Sequence, residues 1–206
     1  GGKNLTAHHL AIFDALESGL RVNSDFSGPG FDANGTINIY DITINHCGCT
    51  GGTRGNSGDF WGNTQGALNI GSTNYYAIHN VMFNNITINN ARSYGMFIRA
   101  TNSNPLNNIA LNNISINGAK MGIYFFGARG NATYCNLSFQ NVDKNMNNIP
   151  STFSWTQATD CQPPISSGQG ITHDNHAATD VHKFFRDGIL YISVNGNTYD
   201  ILGRKL

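Results

Sequence analysis

The sequence predicts an all-β fold: a right-handed parallel β-helix followed by a C-terminal β-hairpin. Three observations carry that expectation. A short apolar-polar-apolar motif recurs along the first two thirds of the chain, Gly (24) and Asn (about 30) are the punctuation between its copies, and Asp-Gly and Asn-Gly pairs divide β-rich runs at the end. Gly costs about 1 kcal/mol in a helix interior and Asn competes there for backbone hydrogen bonds, so this composition favours strands and turns.

Four segments align. The first is Leu10 to Val22. The second is Ile42-Thr43-Ile44-Asn45-His46-Cys47, leading through an insertion to Gly66-Ala67-Leu68-Asn69-Ile70. The third runs from Ile86-Thr87-Ile88-Asn89-Asn90 to Tyr94-Gly95-Met96-Phe97-Ile98, and the fourth from Ile114-Ser115-Ile116-Asn117-Gly118 to Gly122-Ile123-Tyr124-Phe125. A weaker fifth opens at Leu137-Ser138-Phe139. Starts are separated by 32, 44, 28 and 23 residues, so the shortest spacing is the bare unit and the others carry loops. A unit of two or three short strands cannot bury its apolar side alone; stacking on its neighbours in parallel does. The stack should place Ile86/Ile88, Ile114/Ile116 and Leu137/Phe139 in internal columns and turn Thr87 and Ser115 outward. Asn85, Asn113 and Asn136 stand before these strands, where Asn tolerates a left-handed turn and its amide can bond the rung above. The N-x-[ST] triplets at Asn4, Asn34, Asn85, Asn113, Asn131 and Asn136 follow from the same placement, a turn Asn ahead of a strand Thr or Ser.

Domain boundaries follow from the periodicity: coils over 1–148, a cap or linker over 149–180 where Pro, Ser, Thr, Gln and Gly dominate, and a hairpin or three-strand meander over 181–206. The opening Gly1-Gly2-Lys3-Asn4 enters a pattern already under way, which reads as the C-terminal part of something longer. Charged residues make up 12% of the chain, against about 25% in an ordinary soluble domain, and net charge is zero. That balance gives no basic footprint for nucleic acid, and no apolar run is long enough for a membrane span.

Of four cysteines, Cys135 and Cys161 are far enough apart to close a loop between the last coil and the linker. Cys47 and Cys49 share a face if strand-like, and free buried thiols suit them. No metal site or cofactor motif is found: zinc partners are missing, no acidic cluster suits calcium, and His46, His79, His173 and His176 are scattered.

The runs Ile12 to Phe26, Gly58 to Ile70, Val81 to Ile98 and Asn112 to Phe125 resemble the later coils of glycoside hydrolase family 87, the α-1,3-glucanases and mycodextranases, over about 140 residues. The resemblance implies a polysaccharide lying along the coil face and hydrolysis by Asp carboxylates just before or at the Gly of the second strand. The matching positions here are Ser18, Gln65, Tyr94 and Met121, none of them acidic. Glycosidic cleavage needs an acid and a base about 5 to 10 Å apart, so the usual pair is expected upstream of Gly1 and the isolated chain is expected to be inactive. Glu17 is the only Glu; Asp25 and Asp59 are weak catalytic candidates if their loops fold over one groove. The segment Arg186 to Leu206 resembles the end of secreted Bacteroidetes proteins carrying a type IX sorting signal. It implies secretion or cell-surface placement, with export machinery as a partner.

Sugar contact is the better supported role. Outward positions of the second strand should form a ladder of Arg21, Asn69 or Leu68, Phe97 with Arg99, and Tyr124 with Phe126, with Trp61 standing beside it in the insertion. Aromatic faces and planar donors suit pyranose rings and their hydroxyls. Arg54 is a lone cation in the same insertion. Two rival readings use the same rod: a noncatalytic carbohydrate-binding or surface-adhesion protein, and a polysaccharide lyase. The polygalacturonase words G-H-G and R-I-K are missing, the nearest run being Gly19-Leu20-Arg21-Val22.

Overall fold

The computed structural model describes residues 4–24, 35–48, 66–72, 76–101, 103–161, 181–186, 189–194 and 197–200. Among them there is no helix, and none therefore that could cross a membrane. The chain divides into two units, Gly1–Ser167 and Gly168–Leu206.

The first unit is built from long and short strands in alternation. The long ones are β1 (Asn4–Phe13), β3 (Thr36–Asn45), β5 (Ile78–Asn89), β7 (Leu106–Ala119) and β9 (Gly130–Val142); the short ones are β2 (Leu20–Asn23), β4 (Gly66–Gly71), β6 (Tyr94–Arg99) and β8 (Met121–Phe126). The long strands and β10 (Phe153–Gln157) form a sheet in the order β1-β3-β5-β7-β9-β10, and the short strands form another in the order β2-β4-β6-β8. Every pairing in both sheets is parallel. The chain thus visits the two sheets in turn and adds one strand to each, a β-helix-like layout. The sheet continues past residue 148, where the sequence periodicity fades. Phe153 and Trp155 in β10 keep the alternation, and Phe153 is buried, but Ser, Thr and Gln around them hide it.

Register explains the columns. Leu10, Ile42, Ile86, Ile114 and Leu137 pair in succession, as do Ile12, Ile44, Ile88, Ile116 and Phe139. Ile42, Ile44, Ile86, Ile88, Ile114 and Ile116 are each at most 1% exposed. Burying one such side chain is worth about 1.5–3 kcal/mol, so a stack of these pairs supplies the main drive for the coils to layer.

The asparagines sit elsewhere than expected. Asn85, Asn113 and Asn136 do adopt left-handed backbone, with φ of 53°, 54° and 52°, but they lie inside β5, β7 and β9 rather than ahead of a strand. Ladder pairing continues on both sides of the kink, so each long strand is a rung that bends without breaking. Equivalent kinks recur five residues apart along a rung: Asn80 and Asn85 in β5 and Asn90 just past its end; then Asn108, Asn113 and Gly118 in β7. Side-chain amides tie one rung to the next, Asn136 Nδ2 donating to Asn113 Oδ1 at 2.9 Å, Asn141 Nδ2 to Asn117 Oδ1 at 2.8 Å and Asn85 Nδ2 to Asp41 Oδ1 at 2.9 Å. The outer coils substitute Asp and His at the same corners: His9 and Asp41 in one column, Asp14 and His46 in the next.

Cys135 and Cys161 are joined by a disulfide, and Cys47 is a free, buried thiol; Cys49 lies outside the described residues. In the second unit, β11 (Val181–Arg186), β12 (Ile189–Val194) and β13 (Asn197–Asp200) pair antiparallel in chain order.

Candidate functional site

The short-strand sheet turns one face to the core. Leu20, Leu68, Met96 and Ile123 form one inward column, and Val22, Ile70, Ile98 and Phe125 the next. Residues between them therefore face away from the core. Register sets Arg21, Asn69, Phe97 and Tyr124 in one outward column, and Asn23, Gly71, Arg99 and Phe126 in another. Leu68, the alternative to Asn69, is a core residue.

Where each strand begins, the sequence alignment needs a one-residue correction. Gly66 pairs with Tyr94, and Tyr94 with Met121, so Ala67 rather than Gly66 is the equivalent of Gly95 and Gly122. Gly19 joins that column, its N–H donating to Ala67 O at 2.9 Å. These positions point into the core: a Cβ on Gly19 would stand 2.7 Å from Ile44 Cγ2, and one on Gly95 2.6 Å from Ile116 Cγ2. The position where a carboxylate was sought is thus Gly66 instead of Gln65, alongside Ser18, Tyr94 and Met121. It remains empty of acid. Indeed no Asp or Glu stands anywhere in β2, β4, β6 or β8.

Aromatic rings occupy the outward face instead. Tyr94 and Tyr124 stack at 4.7 Å with planes 12° apart, Phe97 tilts against Tyr124 at 5.8 Å, and Phe126 lies 6.2 Å from Phe97 and 6.3 Å from Tyr124. Such offset pairs hold ring orientation beyond what area burial alone would fix. Phe97 is only 3% exposed, whereas Phe126 is 41% exposed and Tyr94 and Tyr124 are half-buried. A ligand can therefore reach Tyr94, Tyr124 and Phe126, with Phe97 as their support. Asn69 is 1% exposed and its Oδ1 accepts from Gly66 N at 3.0 Å, so it braces the start of β4 rather than presenting an amide outward. Arg99 is buried as well. Arg21 keeps part of its surface, and its Nη2 lies 3.7 Å from Glu17 Oε2.

Tyr94 belongs to this cluster although sequence reasoning noted it only as an empty carboxylate position. The sequence pattern hides it: counted back from the inward Met96, period two puts Tyr94 on the core side, and only the break at Gly95, which also faces the core, turns Tyr94 out beside Tyr124.

Two acids stand instead at corners of the long-strand sheet, Asp41 within β3 and Asp14 just past β1. Asp14 Oδ1 is 2.6 Å from His46 Nδ1 and 3.9 Å from Arg92 Nη2, and Asp41 Oδ2 is 3.5 Å from His9 Nε2. Each thus faces a base. Asp25, Asp59, Trp61, Arg54, His173 and His176 lie outside the described residues.

No family model matches the chain, and a search of curated proteins finds no match. Among solved structures the chain is similar to the catalytic domain of a GH87 α-1,3-glucanase determined in complex with tetrasaccharides, at 22% identity and a TM-score of 0.58. The alignment covers 71% of this chain and 29% of that one. The likeness is one of fold.

Proposed function

We propose that the first unit is a stretch of right-handed parallel β-helix that binds a neutral polysaccharide along the outward face of β2, β4, β6 and β8, as the distal part of a glycoside hydrolase acting on α-glucan or a similar polymer. Handedness rests on the general rule that a parallel crossover is right-handed in about 98% of cases. The carrying observation is the Tyr94–Tyr124 stack with exposed Phe126 beside it, a fixed aromatic platform on four short strands that carry no acidic side chain. Pyranose rings present C–H faces that pack on such rings while their hydroxyls meet polar groups at the rim, where Arg21 stands.

The resemblance of the coils to family 87, together with the fold likeness, supports an α-glucan as the polymer. With no Asp or Glu in the four short strands, the acid and base of hydrolysis belong to coils other than these. The Cys135–Cys161 disulfide supports an oxidising, extracytoplasmic location, and the sorting-like C-terminus supports export to the surface.

Two assays test this. The 206-residue chain, incubated with α-1,3-glucan, nigeran and dextran, should release no reducing sugar; turnover would overturn the assignment of catalysis to other coils. It should nevertheless be retained by α-1,3-glucan, and Tyr124→Ala should weaken retention by about tenfold. Unchanged retention in that variant would remove the platform from the reading. Retention with no hydrolytic activity in any longer form would favour the binding or adhesion alternative.

A further inference from the structure

A second feature lies at a corner of the long-strand sheet, on the outermost rung. Period two would send adjacent His8 and His9 to opposite faces, but His9 has left-handed backbone with φ of 54°, and at this bend its ring comes to 4.8 Å from that of His8. The rings meet edge to face, with their Nδ1 atoms 2.5 Å apart. Each imidazole is oriented by a further partner: His8 stacks on Tyr40 at 4.9 Å with planes 4° apart, and His9 Nε2 lies 3.5 Å from Asp41 Oδ2. Asp41 is held in turn, its Oδ1 accepting from Asn85 Nδ2 at 2.9 Å. A carboxylate beside Nε2 keeps the proton there and leaves His9 Nδ1 with its lone pair, toward which His8 Nδ1–H points. At the same corner the next rungs carry Tyr40-Asp41, Asn84-Asn85 and Asn112-Asn113, so the imidazole pair belongs to the first rung alone. The neighbouring corner, where Asp14 meets His46, differs in chemistry: Arg92 Nη2 stands 3.3 Å from His46 Nδ1, so a cation is already in place.

We propose that His8 and His9 together bind one divalent transition-metal ion through their Nδ1 atoms, Cu²⁺ more tightly than Zn²⁺. The ion takes the place of the proton between the rings, and that proton moves to His8 Nε2, so both imidazoles stay neutral. With metal–nitrogen bonds of about 2.0–2.1 Å, two nitrogens on one ion stand about 3 Å apart, and the exposed rings open by roughly half an ångström to reach that spacing. Imidazole suits both ions, and the stability order of first-row metals puts copper first. Water completes the shell, since no group of three His, Cys, Asp or Glu able to hold one ion stands among the described residues. Asp41 is the carboxylate behind the ligand: it fixes the tautomer and angle of His9 and raises the basicity of its Nδ1. The site lies on the other sheet from the aromatic platform and stands whether or not a sugar binds there.

The test is a titration of the untagged, ¹⁵N-labelled 206-residue chain with Zn²⁺, followed through the imidazole nitrogens by long-range ¹H–¹⁵N correlation. Saturable shifts at Nδ1 of His8 and His9 are expected, with a half-point in the roughly micromolar range, and calorimetry should find Cu²⁺ bound more tightly than Zn²⁺. His8→Asn and His9→Asn install the residue that inner rungs carry at these places, as Asn84 and Asn85 do, so each keeps the corner and removes one ligand. Either should weaken Zn²⁺ binding by about tenfold or more, and Asp41→Asn, which keeps both ligands, by about tenfold. Replacing His173 and His176, the other closely spaced pair in the sequence, should leave the His8 and His9 shifts unchanged. Absence of saturation, uptake undiminished in both His variants, or loss of the shifts on replacing His173 and His176 would each overturn the proposal; full affinity in Asp41→Asn would remove the carboxylate from it.

Discussion

Gly95 shows how tightly the two sheets are pressed together, because a Cβ there would approach Ile116 Cγ2 to 2.6 Å and Gly122 O to 2.7 Å. The second of these is backbone and cannot swing aside. Gly95→Ala should therefore cost about 1–3 kcal/mol, read as a lower urea midpoint at unchanged slope. Ala67, one rung away in the same column, already carries its methyl at 0% exposure, so this column tolerates a side chain only where the facing rung leaves space. The site follows the same residue-level logic. Period-two alternation made Phe97, Tyr124 and Phe126 readable as outward residues. It failed at Asn69, which faces outward yet is spent on Gly66 N, because a side chain folding back to its own strand leaves no mark in the hydrophobic pattern. Tyr94 leaves no mark either, because period two counted back from the inward Met96 sends it to the core side and only the break at Gly95 turns it outward. Glycine itself serves different ends on neighbouring rungs. Gly66 is a glycine because a Cβ would meet the backbone of Met96 and Phe97 at 2.8 and 2.7 Å, Gly95 because it would meet Ile116.

A long strand such as β7 is one element despite two left-handed kinks, at Asn108 and Asn113, before it reaches Gly118. Propensity alone reads each kink as the start of a new strand, and that is how Asn113 came to be expected ahead of one. What keeps the strand whole is pairing: β7 holds β5 and β9 on both sides of each bend, which no single rung's sequence encodes. The Asn itself contributes two separable things, tolerance of φ near +54° and amide bonds between rungs, Asn113 Nδ2 to Asn84 Oδ1 at 3.1 Å and Asn136 Nδ2 to Asn113 Oδ1 at 2.9 Å. Asn113→Gly keeps the first and loses the second, whereas Asn113→Ala loses both. Thermal unfolding should accordingly rank wild type above Gly above Ala, with Ala lower than Gly by about 1 kcal/mol, the cost of left-handed backbone in a residue with a Cβ. Equal stability of the two variants would mean that the backbone relaxes out of the left-handed region.

Across the whole first unit, stability should be a sum over adjacent rungs rather than the property of one closed core, and two perturbations read that sum. The first acts through the unfolded chain: Cys135 and Cys161 are separated by 26 residues, and replacing both by Ser should cost about 3 kcal/mol in urea unfolding, matched by reduction of the wild type. The second compares one column at its end and in its middle. Ile114 is 1% exposed between Ile86 and Leu137, while Leu10, on the outermost paired rung, is 44% exposed with only Ile42 beside it in register. Ile114→Ala should cost about 2–5 kcal/mol and Leu10→Ala about half that or less, since it forfeits less burial and opens no enclosed cavity. Both replacements leave the strand's hydrogen bonds in place, so backbone pairing is common to the pair and cancels. The ratio of the two costs is therefore set by how many rungs flank each side chain. A cost at Leu10 as large as that at Ile114 would mean that another layer covers β1 in solution, in which case adding a fragment that carries one more coil should leave the variant's deficit unchanged, whereas on a bare edge it should protect Leu10 and raise stability.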